Sequence, residues 1–312
     1  MLITTQEAVK HLADGKLVAI PTETVYGLAA DARNAQAIQK VFETKGRPAK
    51  NPLIVHLPNT EALCSWATNI PKSAYQCAQH FWPGPLTLIL PKHPSVLPSI
   101  TAQQDTIACR IPNHPLTLEI LVNLNRALVA PSANPYGYLS PTTAEHVEQC
   151  FGDEVPVVDG GACSIGIEST ILSLINKPTI LRKGMISAQQ LSDVLGTPVT
   201  TATHTDLLTP GSDLHHYAPH KPLYLVASKD LSKQVSRLQK EKSVSVLCFP
   251  STSLANGIEM PTDPKEYAKT LYEKLHQLDA SKADYIIVES PPLEEPWFAI
   301  LDRLQRASDP LP

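Results

Sequence analysis

The stretch KGRPAKNPLIVHL, Lys45 to Leu57, joins a helical pattern to a β pattern and decides how the first half of the chain is read. Upstream, Asn34 can cap a helix carrying Ile38, Val41 and Phe42, which should end near Gly46. Downstream, Pro52 to Leu57 is a short apolar run in which His56 falls on the face opposite Leu53, Val55 and Leu57. The junction holds two cations two residues apart, Lys45 and Arg47, with Lys50 behind them. The plainer reading is a solvent-facing helix end, where the macrodipole favours cations anyway. The alternative is the mouth of an anion site built where helix gives way to strand.

The same alternation extends outward in both directions. Thr4 with Glu7 makes a capping box for a helix that Gly15 stops ahead of the strand LVAIP. Further β runs read as PLIVHL, PLTLILP, TIACRIP, ALVAP, VPVVD, STILSL and TILR, separated by helices at Pro115 to Leu124, Pro141 to Phe151 and Ala188 to Leu195. Residues 1–200 are therefore expected to form one large α/β domain. Residues 201–221, TATHTDLLTPGSDLHHYAPHK, lack apolar periodicity and contain Gly and Pro, which marks a linker placed to act as a lid. Residues 222–312 alternate again and predict a small three-strand βαβαβα unit with a parallel, Rossmann-like sheet.

Bulk properties narrow the function. Hydrophobic residues make up 43% of the 312, enough for packed cores in two domains. A net charge of -4 gives nothing global that attracts nucleic acid or an anionic membrane, so any polyanion must meet a local cluster. The six cysteines form no CxxC pair and read as reduced core residues, not as a disulfide frame or zinc site. The opening MLITTQEAVKHLADG has no basic segment followed by an apolar run, and no stretch reaches membrane-span length, so a soluble cytoplasmic protein is expected.

Polar residues gather where strands end. PTETVYGLAAD places Thr22, Glu23, Thr24 and Tyr26 before a glycine, as a capped turn also would. His56 is a lone strand histidine, more often structural than functional. Arg110 alternates with Cys109 and Ile111 in an apolar strand, where a charge calls for a carboxylate or phosphate. Ser132 and Asn134 follow the strand ALVA, and Ser140 can cap a helix with Pro141 at its first position, leaving N–H groups suited to an anion. DGGACSIGIESTI brings three glycines ahead of Glu168, Ser169 and Thr170.

Taken in order, PTETVYGL, KGRP with NPLIVH, WPGPLTLILP, CRIPNHP, APSAN, DGG with GIEST, and LRKG resemble the YrdC/Sua5 family over residues 15 to 185. HHYAP and AILDRLQRAS resemble the longer Sua5 branch, which adds a C-terminal domain. The resemblance implies a large YrdC-like twisted mixed-sheet domain and synthesis of threonylcarbamoyl-AMP and pyrophosphate from L-threonine, bicarbonate or CO2, and ATP. The product would pass to a tRNA threonylcarbamoyltransferase complex for the N6-threonylcarbamoyladenosine modification. KGRP would be the family's KxR element, with Lys45, Arg47, Ser132 and Asn134 forming the charged catalytic cradle. Thr24, His56, Arg110 and Ser169 would hold threonine, Arg110 pairing its carboxylate. Arg47, Asn51, Thr106, Ala130, Ser132, Ser140, Arg182 and Tyr217 would hold ATP. Mg2+ would ride mainly on the ATP phosphates, with no dedicated protein metal site.

The rivals are an RNA-binding module of the same fold without synthase activity, a carbamoyltransferase of the hydrogenase-maturation type, and a partner protein that has lost catalysis. An aromatic content of 5% and the lack of a basic stripe leave room for only weak RNA binding. The cysteine spacing excludes the zinc fingers of the second. Retention of both KGR and SAN argues against the third. One departure is that the linker reads TPGSDLHHYAP, with Asp213 and His215 where the branch has basic residues.

Overall fold

The computed structural model describes residues 1–202, 207–211, 217–252, 254 and 257–312. Asp213 and His215, and with them the departure in the linker, lie outside the described residues. Among the described residues a large mixed sheet is built from β1 (Val18–Ile20), β2 (Gly27–Asp31), β3 (Ile54–His56), β4 (Leu86–Pro91), β5 (Thr106–Arg110), β6 (Leu128–Val129), β7 (Thr170–Ser173), β8 (Thr179–Arg182) and β9 (Thr200–Thr201). Their order is β1-β2-β6-β3-β5-β4-β7-β8-β9. The capping residues act as the sequence predicts: Thr4 and Glu7 close a capping box, and Asn34 caps the helix Ala35–Lys45, which Gly46 ends in the left-handed conformation.

That helix packs Ile38, Val41 and Phe42 into the same core as Val55, Leu88 and Cys109. A separate cluster joins Ala8 and Leu12 of the first helix to Ile120 and Leu121 of the helix Pro115–Leu124. The pairing that positions the site is parallel β3 on β5, which sets His56 opposite Arg110. Gly27, at the start of β2, bridges to Ser132, just after β6. A Cβ at Gly27 would lie 3.0 Å from that of Ala130, so the glycine permits this close approach.

Several expectations change. GLAAD is the strand β2, hidden because two alanines and a glycine give it no β-branched signature. VPVVD forms only single bridges, from Val157 to Leu2 and Ala19. The helix expected from Pro141 begins at Ala144, because the Thr143 hydroxyl accepts from His146 N–H and so fixes the start there. Cys77, Cys109, Cys163 and Cys248 are buried, but Cys64 is exposed and Cys150 intermediate, although all six are free thiols.

The second domain has β10 (Leu223–Val226), β11 (Val244–Cys248), β12 (Gly257–Glu259) and β13 (Tyr285–Glu289), all parallel, in the order β10-β13-β11-β12. The sequence predicts three strands; the fourth, β12, is three residues long with one apolar side chain, too short for a periodicity signal. The helices Pro264–Asp279 and Phe298–Ala307 bury Tyr267, Leu271, Tyr272, Leu301 and Leu304 in a cluster with Val25, Leu139 and Ile167 of the large sheet's domain. Tyr217 belongs to the same cluster, which ties linker and both sheets together.

Candidate active site

The turn between β1 and β2 is closed by Thr22, whose hydroxyl accepts the N–H groups of Thr24 and Val25 at 3.1 and 3.2 Å. This presents the Thr24 hydroxyl to Arg110 Nη1, 3.0 Å away. Arg110 also donates from Nε to Gly84 O at 3.2 Å, and its Nη2 stands 2.7 Å from Glu23 Oε1. Glu23 in turn accepts the Asn113 N–H at 3.0 Å. The charge in an apolar strand thus has its carboxylate inside the protein. Nε and Nη1 each donate a hydrogen bond, whereas Nη2 is buried beside Glu23 as an ion pair without a well-aligned hydrogen bond. Across the strand pair, burial and then the Arg110 charge hold the His56 imidazole down to about 3, so it is neutral at physiological pH.

Thr24, Arg47, His56, Arg110, Ala130, Ser132, Arg182 and Tyr217 line a single cavity. Those eight come from six separate segments of the sequence. Arg47 reaches it with Nη2 bonded to Pro52 O at 2.9 Å and its guanidinium 5.8 Å from the Tyr136 ring centre. Arg182 anchors Nε on Ser169 O at 3.1 Å and donates from Nη1 to Pro210 O at 3.2 Å. Tyr217 is buried at positive φ, 66°. Gly211, at φ +80°, lies so near that a Cβ there would collide with the Tyr217 hydroxyl.

The remaining expected residues stand behind the wall or beside it. Lys45 is buried, not solvent-facing, because the helix end abuts the segment after β6: Tyr136 N–H bonds to Lys45 O at 2.7 Å. Its Nζ donates to Ser132 O at 2.6 Å and to Asn134 O. Burial, then the Arg47 charge, push the ammonium well below its ordinary range. Asn134 binds Pro135 O and Tyr138 O through Nδ2, each at 2.9 Å. Asn51 donates to the Tyr136 hydroxyl at 2.7 Å. Ser169 places its hydroxyl 2.8 Å from that of Thr87 and accepts from Arg182 Nη2 at 3.0 Å. Thr106, at the opposite end of β5 from Arg110, lines an adjoining recess with Pro52, Leu208 and Pro210.

Ser140 does not cap a helix for an anion. It is buried and donates its hydroxyl to Glu168 Oε1 at 2.6 Å. Glu168 is the wall residue that the sequence marks without assigning a role; it also meets Arg303 Nε at 2.7 Å and the Tyr272 hydroxyl at 3.4 Å. Glu23 was visible only as part of a turn. A strand arginine nearby in space, not in sequence, gives it a purpose.

Comparison with known proteins bears on the family and the fold. The family model Sua5_yciO_yrdC, described as "Telomere recombination", matches residues 10–184, and the model described as "Threonylcarbamoyl-AMP synthase, C-terminal domain" matches residues 186–309. The threonylcarbamoyl-AMP synthase of Pyrococcus abyssi is 36% identical over 96% of this chain and 93% of that one. That of Bacillus subtilis is 36% identical over 97% and 92%. The crystal structure of P. abyssi Sua5 complexed with L-threonine superposes with a TM-score of 0.91 at 35% identity, covering 97% of this chain and 94% of that chain. Fold and site together define a two-domain α/β protein whose site is assembled at the ends of mixed-sheet strands. The chain belongs to the YrdC/Sua5 family and, with its second domain, to the longer Sua5 type.

Proposed function

We propose that the chain joins L-threonine, bicarbonate or CO2, and ATP into threonylcarbamoyl-AMP, releasing pyrophosphate, to supply the N6-threonylcarbamoyladenosine modification of tRNA. The observation that carries this reading is the convergence of Thr24, His56 and Arg110 with Arg47, Ser132, Arg182 and Tyr217 on one cavity. Relatives with the same two domains carry the corresponding name.

The threonine amine adds to CO2 as a carbamate, whose oxygen attacks the α-phosphorus while pyrophosphate leaves. This needs positioning and charge stabilisation more than covalent help. The Arg110 guanidinium, which lines the cavity beside Glu23, suits the threonine carboxylate. Neutral His56 serves as a hydrogen-bonding wall and not as a charge. Arg47 and Arg182 face the phosphates, with Lys45 fixing the backbone of Ser132 and Asn134 from behind. Pro210, Gly211 and Tyr217 form the lid side of the cavity, which keeps water from a hydrolysable anhydride.

Among the described residues no group of three His, Cys, Asp or Glu could hold a metal, and Glu168 is engaged by Ser140 and Arg303. On this reading Mg2+ would ride mainly on the ATP phosphate oxygens, where it would supply charge neutralisation to the leaving pyrophosphate. Among the described residues no helix is long and apolar enough to cross a membrane. The proposed supply of a tRNA modification is what suggests a cytoplasmic location. The product would be handed to a tRNA threonylcarbamoyltransferase complex. Incubation with ATP, Mg2+, bicarbonate and labelled threonine, followed by mass detection, should show the mixed anhydride. Its absence with folded wild-type chain overturns the reading.

A further inference from the structure

Glu168 is a carboxylate on the wall of a cavity that, on the reading above, receives a triphosphate. A bare carboxylate beside phosphate would oppose binding. The second domain supplies the counter-charge. Arg303, on the helix Phe298–Ala307, is buried and donates from Nε to Glu168 Oε2 at 2.7 Å and from Nη2 to Lys183 O at 3.0 Å. Its Nη1 pairs with Asp302 at 2.7 Å, and Asp302 pairs with Arg306 at 3.1 Å. The same guanidinium lies 5.1 Å from the centre of the Tyr217 ring. The other groups around the carboxylate are Arg182 from β8, Tyr272 from the helix Pro264–Asp279, Tyr217 and the Ser140 hydroxyl.

Domain docking alone does not call for these charges. The interface already buries Val25, Ile167, Leu301 and Leu304, and a buried ion pair about breaks even against apolar packing. What the pair changes is the field in the cavity. Burial pushes the Glu168 carboxyl up, but the charges of Arg303 and Arg182 and the Ser140 hydrogen bond outweigh it and hold the group below the ordinary carboxylate range. Without Arg303, the next cation felt by Glu168 is Arg182, which faces the same cavity.

We propose that Arg303 of the second domain is a positioning residue for the nucleotide: it neutralises and fixes Glu168 and so leaves the Arg182 charge to the phosphates. This rests on the ATP-dependent reading of the site. The test measures ATP and threonine binding separately by calorimetry on the full chain, comparing wild type, E168Q, R303M and R303M/E168Q from about pH 6 to about pH 8.5. R303M should weaken ATP about tenfold at the upper pH with threonine nearly unchanged. The loss should shrink toward the lower pH, as the unpaired carboxyl takes a proton, and E168Q should relieve it in the double variant. E168Q alone should bind ATP at least as well as wild type.

Equal weakening of both ligands, independent of pH and unrelieved by E168Q, would reduce Arg303 to a domain tie. If R303M does not fold, E168Q decides alone: weakened ATP binding overturns the proposal, and retained or tighter binding supports it. Wild type that binds ATP yet forms no adenylate faults the reading of the reaction and not the role of Arg303.

Discussion

Lys45 Nζ donates to the carbonyl oxygen of Ser132 at 2.6 Å, so the KGR and SAN segments are two halves of one clamp. Lys45→Ala removes the donor from one buried and one half-buried carbonyl and should cost about 3 kcal/mol of stability as well as activity. Arg47→Ala, whose side chain reaches the cavity, should lower product formation by about 2 to 4 kcal/mol in barrier with a smaller loss of melting temperature. Circular-dichroism melting beside the product assay checks both. Equal thermal losses in the two variants would contradict the division.

Arg110 pairs with Glu23 and lines the cavity. Arg110→Lys keeps a charge near Glu23 but loses the fork, so threonine affinity should fall by about tenfold, or about 1.4 kcal/mol, while ATP affinity is largely kept. Calorimetry with each ligand checks this. Parallel loss of both ligands with early melting would make Arg110 a fold residue.

Gly211→Ala puts a Cβ on the Tyr217 hydroxyl and strains a left-handed backbone. The variant should show a raised KM for ATP with little change in melting temperature, since neither β-sheet includes residue 211. Unchanged kinetics would mean that Tyr217 does not need its present place.

His146 and His276 stack across the domain interface with ring centres 3.9 Å apart. Burial holds His146 down to about 4, and burial with the neighbouring His146 holds His276 down to about 3. Unfolded, both take a proton near pH 6.5, so the unfolded state binds more protons below that pH and stability falls as pH falls. The loss should approach about 3 kcal/mol per pH unit between about pH 6 and about pH 4 for the two together. His276→Phe should flatten the slope of melting temperature against pH. An unaltered slope would rule the pair out as its source.

Much of this was legible in the sequence because it is local. Thr4, Asn34 and Gly46 act on neighbours a few residues away, and strand alternation alone sets His56 against Leu53, Val55 and Leu57. The motif order brought together residues that only folding makes adjacent. Local reasoning failed where a partner is distant. Lys45 looked solvent-facing because nothing near it in sequence reveals the loop that covers it, 87 residues on. Ser140 looked like a cap because Thr143 offers the same chemistry three positions later, while its true partner, Glu168, is 28 residues away. Glu23 and Arg303 take their meaning from arginine and carboxylate partners 87 and 135 residues distant in the chain, separations at which no spacing rule speaks.

The strand order of the small sheet bears on how the molecule is made. β13 lies between β10 and β11, so although β11 and β12 pair with each other, β10 has no neighbour and the sheet is not continuous until the last strand has emerged from the ribosome. The large sheet is translated first and can collapse by itself. Glu168 then waits for Arg303, the helix after β13, before its charge is matched. A nascent chain therefore lacks the partner of Glu168 until nearly the end of synthesis, and on the proposed role of Arg303 its affinity for ATP should reach its final value only once the second domain has docked.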